Sequence, residues 1–110
     1  MEPTELLQNL VATYERHGWR LRRMLLRAET RNGVGPIEAQ FTTATFFDAP
    51  IDALWFSRSS HGNREAWELR LLADTPYALF ETFAPEDDED FRAAKRQQME
   101  TCLREYVAKR

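Results

Sequence analysis

The stretch that decides the fold runs from residue 53 to residue 83: Ala53-Leu-Trp-Phe-Ser-Arg58, Ser59-Ser-His-Gly-Asn63, Arg64-Glu-Ala-Trp-Glu-Leu-Arg-Leu-Leu72, Ala73-Asp-Thr-Pro76 and Tyr77-Ala-Leu-Phe-Glu-Thr-Phe83. Three runs of aromatic and aliphatic residues alternating with charges are separated by His-Gly-Asn and Asp-Thr-Pro. Alternation is the period of a strand, and those breaks are turn chemistry. The segment predicts three antiparallel strands joined by tight connections. Its register turns on the first break. A two-residue turn at His61-Gly62 pairs Phe56 with Trp67, Leu54 with Leu69, and Arg58 with Glu65. A five-residue loop from Ser59 to Asn63 pairs Trp55 with Trp67 but sets Arg58 against Arg64, which is unfavourable by about 0.2–1 kcal/mol. The first register is preferred. It places Leu54, Phe56, Trp67, Leu69 and Leu71 beneath the helices.

Outward from this unit, Leu6, Leu7, Leu10, Val11 and Tyr14 form an apolar stripe at helical spacing, between Pro3 at the start and Gly18 as a stop. This predicts a helix from about Pro3 or Thr4 to His17. Trp19 to Ala28 reads as a strand, with Trp19, Leu21 and Leu25 on one face and Arg20, Arg22, Met24 and Leu26 on the other. Arg31 to Pro36 reads as a loop. Residues 37–47, rich in Thr and Phe, are expected to contain another strand from about Glu38. Pro85 and the acidic block Glu86–Asp90 open a second long helix, with Phe91, Ala94, Gln98, Cys102 and Tyr106 as its expected buried stripe, widened by Met99, Leu103 and Val107. The expected fold is therefore one α+β domain over residues 1–110. It has two layers, an antiparallel sheet of four or five strands, and the N- and C-terminal helices packed on one face. The element order is α-β-β-β-β-β-α.

The 110 residues are 43% hydrophobic, 12% aromatic and 30% charged, with a formal net charge of −3. This is the composition of an ordinary globule. No apolar run reaches membrane-spanning length, and the first residues lack the basic and apolar regions of a signal peptide, so a cytoplasmic protein with no membrane association is expected. One cysteine, Cys102, excludes an internal disulfide. Net acidity weighs against nucleic acid as a partner, although Arg16, Arg20, Arg22, Arg23, Arg27 and Arg31 make the first third basic. On a regular strand those arginines divide between two faces.

Candidate chemistry is sparse. Ser59, Ser60 and His61 are adjacent at a hairpin tip, where side chains splay instead of converging as a nucleophile and base must. His17 closes a helix. Cys102 on the expected stripe reads as a small buried hydrophobe. Asp87-Asp-Glu-Asp90 lacks the alternating ligands and glycine of a calcium loop and suits a solvated helix start. Asn32-Gly-Val-Gly35 meets neither phosphate-binding fingerprint. The expectation is a protein that is not an enzyme, with no cofactor and no metal.

The order helix, strands, helix resembles double-stranded-RNA-binding domains in outline. Those domains hold phosphate with lysines where this chain has Glu86-Asp-Asp-Glu-Asp90. The order also looks like that of small acidic secretion chaperones, without their middle helix. Both likenesses concern topology alone, and no family is recognised.

The expected second face of the sheet carries Trp55, Glu68, Arg70 and Leu72, a mixture of aromatic, aliphatic and charged side chains typical of interfaces. The leading functional expectation is self-association or protein binding through those four residues. The alternative is a small-ligand carrier with an aromatic-lined cavity of about 300 Å³ or more between sheet and C-terminal helix, and Arg70 or Arg23 orienting an acidic ligand.

Overall fold

The computed structural model describes residues 2–110. The elements are α1 (Pro3–Arg16), β1 (Arg20–Leu26), α2 (Ala28–Val34), β2 (Thr45–Asp48), β3 (Ala53–Ser59), β4 (Glu65–Leu71), β5 (Ala78–Phe83) and α3 (Glu89–Ala108), with one-turn 3₁₀ helices at Ile37–Ala39 and His61–Asn63. The five strands form one sheet in the order β2-β1-β3-β4-β5. The fold is α+β, with a mostly antiparallel sheet and a helix at each end of the chain, as the sequence predicts.

Two features of the sheet differ from expectation. First, β2 pairs parallel to β1. The long connection between them crosses over, and residues 28–34 within it form a helix where a loop was expected. Asp52 holds that helix in place. Its carboxylate accepts from the Arg27 backbone N–H at 2.8 Å and from the Thr30 hydroxyl at 2.6 Å, capping a helix whose own N-cap residue supplies no side-chain bond. The expected strand in 37–47 is confined to Thr45–Asp48.

Second, the β3–β4 register is neither of the two expected. Ser60 N–H donates to Arg64 O at 2.9 Å across His61-Gly62-Asn63, and Gly62 and Asn63 both take positive φ, the conformation those two residues tolerate best. The resulting register pairs Trp55 with Leu69, Ser57 with Trp67 and Phe56 with Glu68. A one-residue change in pairing turns a strand over. Trp67, Leu69 and Leu71 therefore share a face with Trp55, not with Phe56.

The helices consequently lie on opposite faces, making three layers where two were expected. Leu7, Leu10 and Val11 of α1 pack with Leu21, Met24, Leu26, Leu54 and Phe56. Leu103 of α3, with Met99 and Val107 beside it, packs with Leu25, Trp55, Trp67, Leu69 and Phe83.

The inward line of α3 is also rotated from the expected stripe. It runs Arg92, Arg96, Glu100, Leu103, Val107, at spacings of four and three residues. Phe91 is 47% exposed, Cys102 is exposed, and Tyr106 is half-buried in a stack on Tyr77. The apolar stripe misled because three polar residues occupy the buried line. Arg92 bonds Glu65, Asp87 O and Ala84 O, and Glu100 accepts from the Trp55 indole at 2.8 Å.

The rotated helix reverses the expectation for Cys102. Its thiol should react with a maleimide in the native protein at nearly the rate of an unstructured cysteine, and Cys102→Ala should cost less than about 0.5 kcal/mol. Leu103→Ala should cost about 2–5 kcal/mol by urea unfolding, since Leu103 is wholly buried. A protected thiol would contradict this placement of α3.

Candidate functional site

Arg22 is the extra residue of a β-bulge. Leu21 pairs with Phe56 and Arg23 with Trp55, leaving Arg22 unmatched between them. The bulge breaks strict alternation. Leu21 joins Met24 and Leu26 in the α1 layer, while Arg22 and Arg23 both turn to the α3 side. There they meet Arg96, and all three guanidinium groups surround the indole of Trp67, with their central carbons 5.0, 5.8 and 4.7 Å from its ring centroid. Trp67 is buried, meets Trp55 edge to face, and donates its Nε1–H to Glu65 at 2.6 Å. The electron-rich ring face stabilises the cations that gather on it.

The three arginines are not equally satisfied. Arg22 donates to the buried Ser57 hydroxyl at 3.0 Å. Arg96, only 4% exposed, donates through Nη2 to Glu89, and its Nε is buried with no hydrogen-bond partner among the described residues. Arg23 has no hydrogen bond or ion pair among the described residues beyond its contact with Trp67. Burial, and then the charge of Arg96, lower the Arg23 pKa from its ordinary value, while Glu100 and Glu89 oppose the shift.

Arg23 and Arg96 line a cleft of about 490 Å³ between the β1–β2 flank of the sheet and α3. Leu25, Phe47 and Pro50 form part of its sheet-side wall, and Ala93 and Glu100 face them from the helix. The cleft is of the size expected for a small ligand. Half of its lining residues are charged and Phe47 is its one aromatic residue, so this cleft does not have the aromatic lining expected between sheet and C-terminal helix. Arg23 lies in it and Arg70 does not.

The four residues of the expected interaction surface do not share a face. Trp55 is wholly buried beneath α3 and cannot contribute to an exposed patch. Glu68, Arg70 and Leu72 lie on the α1 side, each half-buried. Glu68 accepts a hydrogen bond from the Tyr14 hydroxyl, and Tyr14 stacks on Phe56 at 4.0 Å. Burial first, then Glu68, pushes the Tyr14 pKa up to about 12.

The other candidates stay apart. His61 is exposed at the hairpin tip, and His17 Nδ1 lies 2.8 Å from Thr13 O at the end of α1. Asp88 caps α3, accepting from Phe91 N at 2.9 Å. Among the described residues no three His, Cys, Asp or Glu side chains are grouped to hold a metal ion. Among the described residues no helix is long and apolar enough to cross a membrane. No family model, curated protein or solved structure matches this chain.

Sequence reasoning missed the arginine cluster because it assumed an unbroken alternation along β1. One signal pointed to it. Buried tryptophans need partners for their indole N–H groups, and Arg92, Arg96 and Glu100 continue the line of Leu103 and Val107.

Tyr14 generates a pH prediction. The unfolded chain loses this proton near the ordinary tyrosine value of about 10, whereas the native protein holds it to about 12. The native state therefore binds more protons in that window, and stability contributed by the group is full below pH 10 and falls as pH rises to 12. Urea unfolding across this range should show a steeper loss in the wild type than in Tyr14→Phe. Parallel curves would show that the hydroxyl is not held by Glu68.

Proposed function

We propose that this domain binds a small anionic molecule in the cleft between β1–β2 and α3. The pair Arg23 and Arg96 carries the reading. Two guanidinium groups share one indole ring: Arg96 is buried with its Nε unfilled, and Arg23, half-buried, has no hydrogen bond or ion pair among the described residues. Desolvated cations are costly unless an anion compensates them, and Arg is the side chain best suited to grip a carboxylate or phosphate. The lining offers cations, carboxylates and an apolar wall, with no serine, cysteine or histidine. That composition favours binding over turnover.

Titration with benzoate, followed by ¹H–¹⁵N correlation spectra, tests the proposal. Benzoate should move the amide signals of Arg23, Phe47 and Ala93 and the indole signal of Trp67. Arg23→Gln should weaken binding by about tenfold or more, the loss of one charge-assisted hydrogen bond. An unchanged affinity in that variant would reject the cleft as the site.

A second reading rests on the part of the sheet that α1 leaves uncovered. Phe80 on the edge strand β5 is 58% exposed, stands edge to face with Trp19, and pairs with Glu68 beside Arg70. This flank retains three residues of the surface first expected, and with the open edge of β5 it suits self-association. Sedimentation equilibrium should then give a dimer that dissociates in Phe80→Glu. A monomer at every concentration would remove this reading.

A further inference from the structure

Resting on the anion-binding reading, we infer that the ligand is a small monocarboxylate with an apolar body, and that Glu89 occupies its carboxylate position on Arg96 until the ligand displaces it. The Arg96 guanidinium is a planar fork of N–H donors. Its Nε–H and Nη2–H lie parallel along one edge and match the two oxygens of a carboxylate. In this structure only half of that edge is used: Glu89 takes Nη2, and Nε stays buried without a partner.

The two partners of this ion pair differ sharply in exposure. The Arg96 side chain is 5% accessible, and the Glu89 side chain is 72% accessible. Arg96 is thus a fixed part of the wall, pinned on Trp67, whereas only the tip of Glu89 reaches in from water. An ion pair to so exposed a carboxylate is weak and exchanges readily. A free carboxylate lying in the cleft can take both Nη2 and Nε and also meet Arg23, which Glu89 does not bond. Glu89 then returns to solvent at the first turn of α3, where the helix dipole favours its charge.

The rest of the lining selects the class. Glu89, Glu100 and Asp48, the last paired with Arg31 at 3.6 Å, stand among Arg23, Arg96 and Arg104 in the cleft, so an added anion meets carboxylates as well as guanidinium groups, which repel a phosphate dianion more than a monoanion. Leu25, Phe47, Pro50 and Ala93 supply an apolar wall for the remainder of the molecule.

Calorimetric and NMR titrations of the full chain with benzoate and with inorganic phosphate test this, using the wild type, Glu89→Gln and Asp90→Asn. Asp90→Asn removes the same charge one residue away and controls for a general change in potential. Glu89→Gln should tighten benzoate binding by roughly two- to fivefold, the scale of a solvent-exposed ion pair, with Asp90→Asn near the wild type. Benzoate should bind more tightly than phosphate in all three proteins. Equal benzoate affinity in Glu89→Gln and Asp90→Asn would overturn the role of Glu89, and tighter binding of phosphate would overturn the ligand class. Either result leaves the cleft standing as an anion site. Binding of neither probe at the cleft by any of the three proteins would reject the inference and the underlying reading together.

Discussion

The central strand is buried on both faces, and the other layers follow from that condition. From Ala53 to Ser57 no side chain of β3 reaches solvent to any extent. A strand apolar on both sides needs cover on both sides, and α1 and α3 supply it separately. Burial also places Trp55 where its indole N–H has no access to water. Glu100 answers that need from α3. A carboxylate tucked under a helix is costly unless cations stand near it, and it in turn favours the charged form of Arg23.

The bulge at Arg22 resolves a conflict that the same condition creates. The β1 strand lies next to β3 and must feed two apolar layers, yet it carries two consecutive arginines. On an unbroken strand one of them would enter the α1 layer beside Met24 and Leu26, which are almost wholly buried. A charge there costs several kcal/mol with nothing to offset it. One unpaired residue moves both arginines to the α3 side, where Arg22 reaches Ser57 and both lie against the Trp67 ring. The concentration of charge in the cleft is thus a consequence of protecting the opposite layer.

How far the sequence could be read follows from this. The strands from 53 to 83, the first helix and the last helix were legible because alternation and capping are local properties. What escaped depends on single residues whose effect is not local. The positive φ of Asn63 lengthens a turn by one residue and turns over β4. The distant carboxylate of Asp52 makes a helix of Ala28–Val34. The bulge at Arg22 shifts half of β1. Of the candidate site, Arg23 was legible as a cation facing the C-terminal helix. Arg96 was not, because hydrophobic periodicity assigns a charged residue to the outside of a helix.

The cleft persists because α3 is divided along its length. Its C-terminal half presents Leu103 and Val107 and closes on the sheet, giving the helix its purchase. Its N-terminal half presents Arg92 and Arg96 and is held by hydrogen bonds instead, Arg92 to Glu65, Asp87 and Ala84, and the Asp88 cap to Phe91. Leucines at 96 and 100 would draw the helix down onto Leu25 and Phe47, since buried apolar area is the main force that brings layers together. Arg96 and Glu100 instead meet the sheet through the Trp67 ring and the Trp55 indole N–H, and the cleft lies beside them. Polar contacts at the N-terminal half of α3 thus take the place of the apolar packing that Leu103 and Val107 make at its other end.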